Sequence, residues 1–300
     1  MWCGSLLAAE SSRRWEMPVD NQIYDREGAD WWDENNPLNI LHGSFTPGRV
    51  AYFRRVLHEL GRSPDGLRAL DLGCGGGFVA EEFAQLGCDV VGVDPSEVSL
   101  ETARAHARRM GLDIDYRVGS GEDLSLADED FDIAYCCDVL EHASDLDAVL
   151  RETARCLKPG GLYLFDTINR TRQSKLLAIK VMQEWPWTRI IDADIHDWDM
   201  FIKPDELDRA LAKAGLRLRE TVGFGPRASK PSVVWNFVRA NRGSITFGEL
   251  SRRLEAGQVK SRAISYIATQ PRAPELTRTP MLTSAGQRRI AADPVTRRLG

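Results

Sequence analysis

The sequence predicts an α/β fold: a doubly wound, mostly parallel, seven-stranded sheet with N-terminal helices and an insertion after the fifth strand. Three observations carry this expectation. Short apolar runs alternate with helical segments from Leu67 onward. A glycine cluster, Gly73 to Gly77, lies between the first run and the first helix. A length of 300 residues, 43% of them hydrophobic, suits one large core of this kind.

The elements follow in order. Residues 1–20 have no period and form a flexible arm. Asp25 to Asn36 is helical in pieces and carries Trp31-Trp32. From Pro47 to Leu60, the apolar positions Val50, Tyr52, Phe53, Val56, Leu57 and Leu60 suit an amphipathic helix, and Gly61 ends it. Leu67 to Leu72 is a strand, Phe78 to Leu86 a helix stopped by Gly87, and Asp89 to Val93 a second strand. Ser96 caps a helix to Arg109, with Gly111 after it. Ile114 to Val118 and Phe131 to Cys136 are strands. Asp145 to Leu157 is a helix that Lys158-Pro159-Gly160-Gly161 stops before a fifth strand ending at Asp166. A helix from Pro204 to Ala214 and strands at Leu216 to Phe224 and Ala263 to Thr269 complete a domain at 21–270. Two stretches, 169–199 and 225–262, fall outside the alternation and are expected to cover an acceptor site. The tail, 271–300, is rich in Pro, Arg and Thr and is expected to be disordered.

Charge and composition narrow the function classes. The 39 Lys and Arg against 44 Asp and Glu leave a formal charge of −5, which argues against a nucleic-acid partner. No apolar run approaches the ~20 residues of a membrane span. The apolar patch Leu6 to Ala9 has no basic residue before it, so it is not a secretory signal. Six cysteines without a C-x-x-C pair suit a reducing, cytoplasmic setting.

The glycine loop points to an adenosine cofactor. Gly73 and Gly75 let the backbone turn tightly and a ligand approach it closely. Asp94, 21 residues after Gly73, ends the next strand, where an acid binds ribose hydroxyls. A nicotinamide dinucleotide and S-adenosylmethionine both fit that much. The loop reads G-x-G-x-G rather than G-x-G-x-x-G, and Asp71 precedes it. A carboxylate there attracts an ammonium and a sulfonium but repels a pyrophosphate, which favours S-adenosylmethionine.

A second constellation follows the fourth strand. If Asp138 to His142 is helical, Asp138, Glu141 and His142 share one face at the carboxyl end of the sheet. Two carboxylates and an imidazole can hold Mg²⁺ or another divalent cation. Alternatively, His142 is a metal-free base or a packing residue. His196, in the first insertion, either handles the acceptor's proton or is a hydrogen-bonded structural residue. Trp31 and Trp32 either line the acceptor pocket or pin the N-terminal helices. Between Gln173 and Ile191, apolar and aromatic residues are interrupted by Lys175, Lys180 and Arg189, and Pro186 breaks the run. That pattern suits a peripheral membrane contact or a lid; both imply an apolar acceptor.

Several pieces together resemble a known family, the ubiquinone-biosynthesis O-methyltransferases, which methylate hydroxyls on a polyprenylated phenol ring. They are Trp31-Trp32-Asp33, Gly48 to Tyr52, Asp71 to Gly77, Val91 to Asp94, Leu140-Glu141-His142, Leu157 to Gly161, Asn169-Arg170 and His196 to Pro204. The glycine loop and Leu157 to Gly161 are general to class I methyltransferases; Trp31-Trp32-Asp33, Asn169-Arg170 and His196 to Pro204 are the more specific part. The resemblance implies that Arg49 meets the methionine carboxylate, and that Gly73, Asp94 and the backbone of Cys137 contact the cofactor. It places the adenine near Gly121 and Glu122, and a divalent cation at Asp138, Glu141 and His142. The expected activity is methyl transfer to a phenolic or catechol hydroxyl of an apolar small molecule. The alternatives are another acceptor of secondary metabolism, including C-methylation of a prenyl diphosphate, and an NAD-dependent oxidoreductase. The oligomeric state stays open.

Overall fold

The computed structural model describes residues 20–190 and 194–271. The predicted arm and tail lie outside the described residues, apart from Asp20 and Pro271 at their inner ends.

The parallel part of the sheet comprises β1 (Arg68–Leu72), β2 (Asp89–Asp94), β3 (Ile114–Val118), β4 (Phe131–Cys137) and β5 (Leu157–Ile168). β8 (Ser265–Pro271) runs antiparallel between β5 and β6 (Glu220–Gly225), and β7 (Gly257–Val259) pairs outside β6. The order is β3-β2-β1-β4-β5-β8-β6-β7. The sheet therefore has eight strands, where the sequence predicted seven. The extra one, β7, has three residues, too few to show a strand period of its own.

Successive strand residues face opposite sides, so the central strands feed two cores. Leu70, Val91, Ala134 and Phe165 face α5 (Leu146–Cys156) and α7 (Pro204–Lys213). Ala69, Val90, Ile133 and Leu164 face α2 (Thr46–Glu59), α3 (Phe78–Gln85) and α4 (Glu97–Met110). The predicted caps of α4 form: Ser99 N donates to Ser96 Oγ at 3.2 Å, and Gly111 closes the helix in a left-handed conformation. Lys158 to Gly161 lie within β5, where the register breaks between the pairs Phe131–Leu157 and Ile133–Leu162.

Two predicted helices resolve differently. Asp25 to Asn36 contains only the end of α1 (Ile23–Arg26) and short turns. The Gln173 to Ile191 run becomes α6 (Arg172–Ser174) followed by a π-helical segment, Lys175–Glu184. It stops at Trp185, which is extended, as the residue before Pro186 must be. No helix among the described residues is long and apolar enough to cross a membrane.

A third core joins three distant segments. Ile23 and Ile40 come from the N-terminal cap, Val181 and Ile195 from the first insertion. Val233, Phe237, Leu250 and Leu254 come from α8 (Lys230–Asn241) and α9 (Phe247–Leu254) of the second. Buried polar bonds fix the contact between α9 and the cap. Ser44 N donates to Ser251 Oγ at 2.9 Å, and Ser44 Oγ donates to Ser251 O at 2.6 Å. The Phe247 and Gly248 N–H groups both donate to the Glu34 carbonyl.

Candidate active site

β1 delivers Asp71 to the carboxyl edge of the sheet, and the chain then turns through Gly73 (φ 68°) and Gly75 (φ 49°). A Cβ at Gly73 would lie 2.3 Å from Val139 Cγ2, and one at Gly75 2.8 Å from Trp31. Only glycine meets both the dihedral and the space. Asp94, at the end of β2, ties the loop down: Gly75 N donates to Oδ2 and Ser96 N to Oδ1, each at 2.9 Å.

Arg49, Asp71, Gly73, Gly75, Asp94, Gly121, Glu122 and Cys137 line one cavity of about 510 Å³. Tyr24 and Trp31 of the N-terminal cap close over it. Trp31 Nε1 donates to Ser99 Oγ at 2.9 Å and its ring stacks on Tyr24, so Trp31 both packs and lines the cavity. Trp32 instead stacks on His106, with ring centroids 3.4 Å apart.

The acids of this cavity fit a cationic adenosyl cofactor. Asp71 Oδ2 is buried without a hydrogen-bond partner. Burial, then the charge of Asp94, raises the Asp71 carboxyl well above its usual range, so a cation beside it would be stabilised. Arg49 is 2% exposed and spans two carboxylates. Its Nε lies 3.1 and 3.2 Å from the oxygens of Asp166, and Nη2 donates to Asp166 Oδ2 at 2.9 Å and to Asp138. Nη1 makes no hydrogen bond among the described residues, and the side chain borders the cavity where a ligand carboxylate would sit.

Of the expected reacting groups, Asp138 and His142 line the cavity, and Glu141 and His196 are not among its lining residues. The helical face predicted for Asp138, Glu141 and His142 does not form, because Asp138 adopts φ 54° and only Leu140–His142 make a 3-10 turn. Asp138 turns onto Arg49 instead. Glu141 is 2% exposed; its Oε2 accepts from Thr167 Oγ1 at 2.6 Å and its Oε1 has no partner. Burial, and then the charge of Asp138, pushes the Glu141 carboxyl up to about 8. The predicted cation site is corrected accordingly. Among the described residues no three His, Cys, Asp or Glu side chains converge to hold a metal, and no step is assigned to Mg²⁺.

His142 lines the cavity, and its Nδ1 is buried without a partner. Burial lowers its pKa to about 4. His196 lies beside it, ring centroids 5.3 Å apart, and is lowered to about 3 by burial and by His142. Both rings are neutral at pH 7 and can accept a proton. His196 Nδ1 is 2.9 Å from Gln183 Oε1, and Gln183 Nε2 donates to the His196 carbonyl at 3.2 Å.

Sequence reasoning missed Tyr24, Asp166, Thr167 and Gln183. Asp166 and Thr167 stand at the carboxyl end of β5, the same sheet edge as Asp71 and Asp94, and that position was a usable signal. Gln183 carries no motif; only the fold brings it to His196.

The chain is similar to known methyltransferases. A methyltransferase-domain family matches residues 70–165. The ubiquinone biosynthesis O-methyltransferase of Brucella anthropi is 40% identical over 207 residues, covering 67% of this chain and 82% of that protein. That of Chelativorans sp. is 42% identical over 201 residues, covering 65% and 78%. That of Sinorhizobium fredii is 37% identical over 230 residues, covering 73% and 90%. Among solved structures, a Thermotoga maritima S-adenosylmethionine-dependent methyltransferase, possibly acting on histamine, matches with a TM-score of 0.55 at 18% identity, covering 83% of this chain and 99% of that one. The [4+2]-cyclase SpnF matches with a TM-score of 0.52 at 20% identity, covering 75% and 81%. These two likenesses concern the fold alone.

Proposed function

The chain belongs to the ubiquinone biosynthesis O-methyltransferase family, and from that premise we propose that it methylates a phenolic or catechol hydroxyl of an apolar, prenylated small molecule. One observation carries the proposal: a single cavity has the unpartnered Asp71 oxygen on one wall and the neutral His142 ring on another.

When bound, S-adenosylmethionine supplies a sulfonium-activated methyl group. Asp94 would accept from the ribose hydroxyls, since each of its oxygens keeps a lone pair beyond its backbone bond. Asp71 would hold the ammonium and steady the sulfonium. Arg49 would take the carboxylate through Nη1, braced by Asp138 and Asp166. Gly121, Glu122 and the Cys137 backbone, which line the same cavity, would meet the rest of the cofactor. Such a hold would supply rate through proximity and orientation.

A phenol has a pKa near ~10 and is mostly neutral at pH 7. As its oxygen attacks, the carbon–sulfur bond breaks with its electron pair on sulfur, and the acceptor proton becomes strongly acidic. An imidazole of the His142–His196 pair receives it, so a weak base suffices. Burial favours the protonated form of Glu141, whose Oε2 accepts from Thr167 Oγ1.

The Lys175–Glu184 segment and the turn after it supply a peripheral contact with lipid. Leu176, Trp185 and Trp187 are exposed there, beside Lys175 and Lys180. An acceptor carrying a prenyl tail would arrive from such a surface.

Incubation with S-adenosylmethionine and a catechol bearing a short prenyl chain should yield a product one methylene heavier by mass spectrometry. Calorimetry that finds no uptake of S-adenosylhomocysteine by folded protein would overturn the proposal.

A further inference from the structure

We infer that Gln183 is a positioning residue for methyl transfer: it fixes the proton of His196 on Nδ1, which makes Nε2 the nitrogen that receives the acceptor's proton. The inference rests on the assignment of the His142–His196 pair above and deepens it.

The argument begins at a backbone carbonyl. The His196 C=O can only accept a hydrogen bond, so the Gln183 atom 3.2 Å from it must be the amide NH₂. That settles the orientation of the carboxamide. The atom 2.9 Å from His196 Nδ1 is therefore the amide oxygen, which can only accept. Nδ1 must then carry hydrogen. In a neutral imidazole the other nitrogen is left with its lone pair, so Nε2 is the basic atom. One side chain thus holds His196 by both its main chain and its ring, and neither bond survives an amide flip.

His142 has no such partner. Its Nδ1 is buried and unpaired among the described residues, where no hydrogen bond selects its tautomer. Of two neighbouring imidazoles, only His196 is prepared for one direction of proton flow. In the transfer, the carbon–sulfur pair stays on sulfur, the acceptor oxygen bonds to the methyl carbon, and its proton moves to Nε2. The resulting imidazolium later releases that proton to solvent.

Gln183 stands in the π-helical segment Lys175–Glu184, whereas His196 lies beyond the turn at Trp185 to Thr188. The receiving nitrogen is thus set by the insertion and not by the sheet.

Two readouts test the inference in the full chain. Long-range ¹H–¹⁵N correlation spectra should show His196 as the Nδ1–H tautomer in the wild type and in Gln183→Glu, which keeps the accepting oxygen. Gln183→Leu should lose that signature. With the short-chain prenyl catechol as acceptor, kcat of Gln183→Leu should fall about tenfold or more, while Kd for S-adenosylhomocysteine stays within twofold. Gln183→Glu should fall between. A wild-type ring in the Nε2–H form, or a Gln183→Leu protein with its tautomer or its kcat unchanged, overturns the assignment of Gln183. His196→Gln separates this from failure of the underlying assignment. Wild-type turnover in His196→Gln removes His196 from the reaction altogether, whatever its tautomer.

Discussion

Asp94 clamps the glycine loop from one side and the start of α4 from the other, which sets the outcome of its removal. Asp94→Ala should weaken S-adenosylhomocysteine binding by about 10- to 100-fold, as expected for lost hydrogen bonds to a charged group. It should also lower the melting temperature, because two N–H groups lose their acceptor. Calorimetry and thermal denaturation check the two effects separately. His196 makes a pH prediction. Its folded pKa of about 3 lies below the unfolded 6.5, so the unfolded chain binds the extra proton between those values. Wild-type stability therefore loses this contribution as pH falls from 6.5 toward 3. The melting temperature of His196→Gln, relative to wild type, should rise as pH falls across that window. Much of this residue-level picture was legible in the sequence: Asp71, Gly73, Gly75 and Asp94 sit where strand ends and loop spacing put them. Asp138 was not. A left-handed residue breaks the i, i+3, i+4 geometry, and its carboxylate pairs with a guanidinium 89 residues earlier in the chain.

At the scale of elements, helix caps and strand periods were readable because they are local. Ser96 and Gly111 bound α4 as their chemistry requires. The role of α9 was not readable, since it depends on a partner about 200 residues away. Ser251 on α9 accepts from Ser44 N and offers its carbonyl to Ser44 Oγ, which in turn accepts from Ala256 N. These bonds brace the cap that carries Tyr24 and Trp31 over the cavity. Ser251→Ala leaves the Ser44 N–H unsatisfied and should cost about 1–3 kcal/mol in urea denaturation. The loosened cap should also raise Kd for S-adenosylhomocysteine severalfold, with a smaller change in kcat at saturating cofactor. An unchanged Kd would confine α9 to a structural role.

Across the whole molecule, exposed aromatics gather on the first insertion and on α8. Trp187 is 69% exposed and Trp235 58%, and both lie on elements that share the third core. In a chain of net charge −5, Lys175 brings positive charge to that side, while Lys180 is paired with Glu184. Vesicles containing an anionic lipid should blue-shift tryptophan emission and co-sediment the protein. Trp187→Ala should reduce co-sedimentation while methyl transfer to a short-chain, water-soluble catechol persists; equal sedimentation would place the contact elsewhere. The third core has a further consequence. It needs Ile23 and Ile40 near one end of the chain and Leu250 and Leu254 near the other. During synthesis, therefore, the nucleotide-like chamber cannot shut until α9 has emerged. A protein cut short after β6 would own every ligand-facing acid yet leave them under a roof without rafters.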